Sequence, residues 1–553
     1  MVENKIKILL INSLQFDPAE ITEDHIKDKS LYVNPPLGLM YIASVIKQEN
    51  TNNEVVFFDY NLEWVKHASI YGVKNTKLKD PLDALLKKEQ FDLVGIASMF
   101  SLFKKNHKIL IEKVSTYQKQ SLIIIGGGYP TYEPEDALKY LEKGIVVIGE
   151  GEDTVKRILK IYKDSKFDLE KTYKTIENLE GVAIKNNGFL EKPKKDFIED
   201  INAIPFPAHE YVHYSDILYG RFNARPTHMD RKTAVMTTSR GCPCKCIFCG
   251  VPSFWGKTIR FRSPENVLAE MKLLYEKYQI RHFIFNDSNF TFDRNRAKII
   301  CRKIINSGMD IKWCSPDGMA IWTFDKELVD LMLESGCYAF SVGIESGNDK
   351  VLRKVLQKPM SLKKMKEKIK LLTRFRKKIY ISGLLMLGIP YETKDQMTDT
   401  INLAYELELD WYEFAVTLPY PNTPLWDICI KEGYIDEEQD MSDVKFLHSY
   451  IETPEFSANE VKEIAYNANI NVNFINNVNY VKYDIDRALE DFRKVSSRYP
   501  GHLFAQYMIY KSLLKKREYE EAEKMKNQLI GMLENNPKRQ EEWDRFSLSF
   551  QPD

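Results

Sequence analysis

Four cysteines, Cys242, Cys244, Cys246 and Cys249, fall within eight residues of the segment Arg240-Gly241-Cys242-Pro243-Cys244-Lys245-Cys246-Ile247-Phe248-Cys249-Gly250. Cys242, Cys246 and Cys249 have the spacing C-x3-C-x2-C. Three thiolates can hold three irons of a [4Fe–4S] cluster and leave the fourth iron open to a ligand. A structural zinc site wants a fourth Cys or His at matching spacing, typically a second pair some 12–20 residues away. None stands there. Cys244 lies outside the pattern and reads as an ordinary loop residue. Cys301, Cys314, Cys337 and Cys429 stand alone. A secreted disulfide framework would spread its cysteines, so the cluster points to metal binding in a reducing compartment.

Such a loop needs a strand to carry it, and Ala234 to Thr238 supplies one. It opens a series of βα units with further strands at His282 to Asn286, Ile311 to Ser315, Phe340 to Ile344, Ile379 to Leu387 and Tyr412 to Thr417. Six units over about 200 residues fit a partial barrel better than an eightfold one. Its functional face is expected at the strand C-termini. From about Ser457 the strands give way to helices. Ala488 and Ala522 stand 34 residues apart, and their segments run on to turns at Tyr499-Pro500-Gly501 and Asn535-Asn536-Pro537. That period is the tetratricopeptide spacing, so the tail reads as a tetratricopeptide-like cap on the barrel or as an unrelated helical bundle.

Ahead of the barrel, near-continuous apolar runs at Lys7 to Ile11, Val55 to Asp59, Leu93 to Ala97, Leu122 to Ile125 and Ile145 to Ile148 predict a doubly wound parallel sheet. The segment Gly38 to Lys47 reads as an amphipathic helix between strands. Loops at strand ends are rich in glycine or proline: Asn34 to Gly38, Gly126 to Thr131, and Gly149-Glu150-Gly151-Glu152. Three such loops on one sheet edge indicate a ligand site, although each alone would serve as a tight turn. No G-x-G-x-x-G helix opening follows the first strand, so the dinucleotide fingerprint is absent. Arg157 to Arg231 looks irregular, with a hairpin around Asn186-Asn187-Gly188.

The order of motifs resembles the radical S-adenosylmethionine superfamily, in the branch with an N-terminal cobalamin-binding domain, over roughly residues 1–450. The resemblance rests on the cysteine loop, the three sheet loops and four landmarks: Phe285-Asn286-Asp287-Ser288-Asn289-Phe290, Val342 to Asn348, Leu387-Gly388-Ile389-Pro390-Tyr391-Glu392-Thr393, and Tyr420-Pro421-Asn422-Thr423-Pro424-Leu425. It implies an α/β chain with a Rossmann-like cobalamin-binding domain over 1–156, a linker over 157–231, a radical barrel of TIM-like (β/α)6 type over 232–450 and a helical region over 451–553.

By that resemblance, Cys242, Cys246 and Cys249 hold a [4Fe–4S] cluster whose open iron binds S-adenosylmethionine, and reductive cleavage gives a 5′-deoxyadenosyl radical. Expected contacts to S-adenosylmethionine are Phe248, Asn286, Ser341, Glu345 and Met386. Phe248 reads otherwise as a core aromatic, and Glu345 as half of a structural ion pair. Expected cobalamin contacts are Pro36, Leu37, Gly38, Ser98, Met99, Phe100, Gly126, Gly127, Gly128, Tyr129, Gly149 and Glu150. The sheet domain lacks an Asp-x-His-x-x-Gly sequence, so cobalamin is expected with its own base displaced and no histidine on cobalt. With cobalamin as methyl carrier the implied reaction is methylation of an unactivated carbon. The alternatives are a radical cyclisation, oxidation or coupling without net methyl transfer, and a non-enzymatic metal-binding partner protein. An external electron donor such as flavodoxin or ferredoxin is implied.

Composition agrees with an ordinary globular chain of 553 residues: 79 basic against 79 acidic residues, pI near 7.1 and 44% hydrophobic. Balanced charge gives no general field for nucleic acid, and no run is long enough for a membrane span or signal peptide, so a cytoplasmic protein is expected. No charged run marks the substrate, which stays open among small metabolites, peptides and lipids.

Overall fold

The computed structural model describes residues 5–548 apart from 28–30, 32–34, 51, 195, 215–231, 437–448, 535 and 547. Asn34 and Asn535, and the part of the expected linker from 215 onward, therefore lie outside the described residues.

The first sheet contains β1 (Lys7–Asn12), β2 (Glu54–Asp59), β3 (Leu93–Ala97), β4 (Leu122–Gly126), β5 (Gly144–Val147), β6 (Val182–Lys185) and β7 (Phe189–Lys192), in the order β2-β1-β3-β4-β5-β6-β7. The first five run parallel. β1, β3 and β4 are buried along nearly their whole length, which explains why their sequences are continuous apolar runs rather than alternating ones. Because β1 sits between β2 and β3, the chain leaves β1 and β3 toward opposite sides. A crevice opens there at the strand C-termini.

The hairpin β6–β7 pairs antiparallel to β5 and closes this sheet. The expected boundary at residue 156 falls inside the helix Glu152–Asp164, and residues up to Lys192 belong to the first sheet rather than to a linker. The physical reason is long-range pairing: the apolar run Val182 to Ile184 marks a strand but not the strand it joins.

The second sheet has the order β15-β14-β13-β12-β11-β8, all parallel, from β8 (Thr233–Met236), β11 (His282–Phe285), β12 (Lys312–Met319), β13 (Cys337–Glu345), β14 (Tyr380–Leu387) and β15 (Trp411–Val416). Spatial order follows chain order, as βα units wound in one direction require. A small antiparallel pair, β9 (Ser239–Arg240) with β10 (Arg260–Phe261), flanks the cysteine loop. β12 outruns its expected end because its register with β13 breaks between Ser315 and Met319.

The helices Ala458–Ile470, Ile485–Arg498, Leu503–Lys515, Tyr519–Glu534 and Pro537–Arg545 follow. They share a core with Cys314, Ala339, Tyr380 and Trp411, which stand at or near the first residues of their strands. Polar pairs pin this junction. Asn473 accepts from the Tyr412 amide at 2.8 Å and donates to the Tyr412 carbonyl at 2.7 Å, and Arg487 donates to Asp410 at 3.0 Å. Ala488 and Ala522 are both buried. Among the described residues no helix is long and apolar enough to cross a membrane.

Candidate active site at the junction of the two sheets

Both sheets turn their strand C-termini toward one cavity of about 800 Å³, lined by residues of each. From the first sheet come the β1 loop at Gln15, Pro35 to Gly38, Ser98 to Phe100, Gly126 to Gly128 and Gly149 to Glu152. From the second come Thr237, Phe248, Gly250, Asn286, Ser288 and Ser341.

The loop landmarks hold the cysteine loop. The Asp287 carboxylate accepts from the Thr238 amide at 2.6 Å and from Ser239 Oγ at 2.8 Å, fixing the exit from β8. Ile247 donates its amide to the Leu356 carbonyl, and the Ile247 carbonyl accepts from Leu425 at 3.0 Å. Segments after β13 and β15 thus grip the same residue from two sides. Tyr132 donates its hydroxyl to the Gly250 carbonyl at 3.0 Å and accepts from Asn422 through its carbonyl, tying the first sheet to this loop.

The four loop cysteines are half-exposed, whereas Cys301, Cys314, Cys337 and Cys429 are buried. The neighbouring Cys244 thiol lowers the Cys242 thiol from its ordinary value against the effect of burial. Burial pushes Cys246 up to about 11 and also raises Cys249, while the Lys358 ammonium acts on both in the opposite sense. Among the described residues no three Cys, His, Asp or Glu side chains converge on a single metal-ion position. Thiolates that each bind a different iron of a cubane need not converge, and a half-exposed trio beside a buried cation suits an anionic cluster.

Lys358 is a charged neighbour of the cysteine loop that spacing did not reveal. Its ammonium donates to Glu345, which stands at the end of β13 with a left-handed φ of 66°. Both side chains are almost buried. The two expectations for Glu345 therefore coexist: it is in an ion pair, and that pair faces the cysteines.

Of the other expected contacts, Phe248, Asn286 and Ser341 line the cavity, and Met386 does not; it packs on the core of the second sheet. Pro36, Leu37, Gly38, Ser98, Met99, Phe100, Gly126, Gly127, Gly128 and Gly149 all line it. Tyr129 is turned away: it is buried in the first sheet's core, its hydroxyl on Asp136 and its ring against His107. The short helix Gly128–Tyr132 brings Tyr132 to the cavity in its place. Glu150 lines the cavity, but its carboxylate is spent on Arg240 at 3.1 Å and Arg260 at 2.7 Å. Its side chain joins the two sheets instead of facing a ligand.

The glycines divide into two kinds. A Cβ at Gly127, where φ is 116°, would lie 2.2 Å from the Ser98 carbonyl oxygen, and one at Gly128 would lie 2.5 Å from that of Met99. These two are required by the neighbouring loop. At Gly126 and Gly38 a Cβ would meet nothing within 4 Å, so both leave open cavity for a broad ligand. His107, beneath this wall, engages Ser98 through Nδ1 at 2.8 Å and the Ala137 carbonyl through Nε2 at 3.1 Å. Burial drives it down to about 4, so it stays neutral.

Family comparisons agree with this division of the chain. A B12 binding domain model matches residues 25–159, and a Radical SAM superfamily model matches residues 236–404. Cytidylyl-2-hydroxyethylphosphonate methyltransferase of Streptomyces wedmorensis is 27% identical over 489 residues, covering 83% of this chain and 88% of that one. Anaerobic magnesium-protoporphyrin IX monomethyl ester cyclase of Cereibacter sphaeroides is 24% identical over 399 residues, covering 71% of this chain and 60% of the relative. The solved cobalamin-dependent S-adenosylmethionine radical enzyme OxsB superposes with a TM-score of 0.63 at 14% identity, covering 99% of this chain and 82% of that one. The chain is a radical S-adenosylmethionine enzyme of the cobalamin-binding kind.

Proposed function

We propose that the enzyme methylates an unactivated carbon within the shared cavity. The observation that carries this reading is the single cavity onto which the B12 binding domain and the cysteine loop both open. Bound there, a [4Fe–4S] cluster with S-adenosylmethionine supplies a 5′-deoxyadenosyl radical, and cobalamin supplies the methyl carrier.

The chain's own residues provide placement. Cys242, Cys246 and Cys249 hold the cluster, and Lys358 offsets its negative charge. Phe248, Asn286 and Ser341 line the space for S-adenosylmethionine, with Glu345 fixed by Lys358. Gly38 and Gly126 leave room for the corrin beside Pro36, Leu37 and the loop Ser98 to Phe100. Apolar walls exclude water, which protects a carbon radical. A flavodoxin- or ferredoxin-type donor supplies electrons, and a cytoplasmic setting suits half-exposed reduced thiols.

The finer architecture follows the same reading. The second sheet forms a partial (β/α)6 barrel, and the first a Rossmann-like cobalamin domain. The helix pairs 485–515 and 519–545 form the tetratricopeptide-like cap, supported by the buried Ala488 and Ala522 at the 34-residue period.

Anaerobic incubation of the reconstituted enzyme with candidate metabolites, peptides and lipids tests the reaction. Methyl transfer yields 5′-deoxyadenosine, S-adenosylhomocysteine and a product heavier by one methyl group. The likeness to a ring-forming cyclase favours a second reading, radical cyclisation without net methyl transfer. In that case 5′-deoxyadenosine forms without S-adenosylhomocysteine.

A further inference from the structure

Charge is balanced over the chain but not along it. Thirteen of the 29 residues 350–378 are Lys or Arg and only Glu367 is acidic, which leaves the rest of the chain net acidic. The segment follows β13 as a wide helical turn, Val351–Val355, and then the helix Leu362–Leu372. Leu352, Leu356 and Met365 are buried in the core of the second sheet, while Lys350, Arg353, Lys354, Lys363 and Lys364 are exposed. Asp349 accepts from the Leu362 amide at 2.9 Å, so the turn and the start of the helix lie side by side with their lysines.

Fold stability does not account for these charges. Lys363 and Lys364 stand in the first turn of their helix, the end where the backbone dipole favours anions, and that turn holds no acidic residue. Lys350 and Lys354 are like charges one turn apart, which is also unfavourable. Further along, Lys366 and Lys368 are used within the fold, on Glu406 and on the Phe324 carbonyl. Among the described residues Lys350, Lys354, Lys363 and Lys364 have no acidic partner, and Arg353 pairs with Asp349 at 3.5 Å.

This basic face meets the cysteine loop from outside the cavity. The Leu356 carbonyl accepts from the Ile247 amide, between Cys246 and Cys249, at 3.4 Å, and the Lys358 ammonium acts on all four loop thiols. None of residues 346–378 lines the cavity. A protein delivering substrate must reach the cavity, whereas an electron donor needs only closeness to the cluster.

We infer that the exposed lysines of 350–364 form the docking face for an acidic one-electron donor protein of flavodoxin or ferredoxin type. The step moves one electron from the donor's reduced flavin or cluster to the enzyme's cluster, so the donor is oxidised by one electron and the cluster reduced by one; no bond is made or broken. Complementary charge steers such an encounter, and redox partners characteristically meet through small, transient contacts. The inference rests on the external donor proposed above and gives it a place on the molecule.

The test is calorimetric titration of oxidised flavodoxin, and separately of an acidic ferredoxin, into the cluster-loaded enzyme at about 20 and about 300 mM salt. At least one donor is expected to bind at low salt and to weaken at least about tenfold at high salt. Lys350→Glu with Lys354→Glu and Lys364→Glu should weaken low-salt binding at least about tenfold. Lys370→Glu with Lys377→Glu and Lys378→Glu, at exposed positions roughly 15 Å along the same segment, should leave it within about twofold. Glutamate in a first helical turn is favourable, and dithionite bleaching of the brown cluster in each variant reports an intact fold. Unchanged binding in the first variant overturns the inference, as do equal losses in both or no binding of either donor. A single-stranded RNA oligonucleotide that displaces both donors from the wild type would make the face a nucleic-acid site and overturns it as well. The methylation reading fails separately, by absence of S-adenosylhomocysteine, and that failure leaves the binding pattern where it stands.

Discussion

Arg240 reaches from the strand before the cysteine loop to the first sheet, its Nη2 2.6 Å from Oε1 of Glu152. Both are buried, and the guanidinium lies over the rings of Tyr41 and Trp255 at 5.0 and 4.8 Å. Only Gly241 separates Arg240 from Cys242, so the contact that docks the sheets also sets the start of the cysteine loop.

That pair predicts an acid-sensitive junction. Burial opposes the Glu152 charge, but Arg240 outweighs it and holds the carboxyl below its ordinary value of 4.5. Its stabilisation is full above that value and is lost as pH falls through the lowered one. Glu152→Gln should cost about 3 kcal/mol near neutral pH and flatten the stability profile on the acid side. Urea unfolding between about pH 3 and 7 measures both. A profile parallel to wild type would remove Glu152 from the account.

Cys242→Ala, Cys246→Ala and Cys249→Ala should each abolish the brown chromophore and cleavage of S-adenosylmethionine. Cys244→Ala should leave both largely intact, since Cys244 lies outside the C-x3-C-x2-C spacing. Iron and sulfide content of the four variants decides the assignment; loss of the cluster in the Cys244 variant alone would reverse it.

For cobalamin, the informative glycine is Gly126. Gly128→Val collides with the Met99 carbonyl and should damage the loop whether or not a corrin binds. Gly126→Val meets only open cavity, so it should leave stability within about 0.5 kcal/mol and weaken hydroxocobalamin binding at least about tenfold. Equilibrium binding followed by absorbance, with thermal melting alongside, separates steric exclusion from misfolding. Wild-type protein is expected to show the base-off spectrum.

Lys358→Met strands Glu345 as a nearly buried charge and should destabilise the fold by about 3–5 kcal/mol. Adding Glu345→Gln should recover much of that stability without restoring binding of S-adenosylmethionine. Calorimetric binding on the double variant is the check: affinity recovering together with stability would make the pair purely structural.

The strands were legible because parallel strands covered on both faces must be apolar throughout, and β3 begins and ends where its sequence Leu93–Ala97 says. The cysteine trio could be proposed from the sequence because its three thiols lie within eight residues of one another. What sequence could not reveal depends on distant partners. Lys358 lies 13 residues beyond Glu345, past an irregular helical turn, and no periodicity links the two. Glu150 sits in a glycine loop that looks like a ligand cradle, yet two arginines more than 80 residues away claim its carboxylate. Tyr129 and Tyr132 are equivalent in the text and exchange roles only because a short helix rotates one inward.

The packing of the C-terminal helices on Tyr380 and Trp411 has a consequence for biosynthesis. The chain grows from its N-terminus, so β8 to β15 leave the ribosome before the helix that carries Asp491 exists. Until it emerges, Trp411 and Tyr380 lack their partners Phe474 and Asp491, and an apolar end of the sheet is open to water and to other nascent chains. A ribosome stalled after β15 would therefore hold a species that invites chaperone capture.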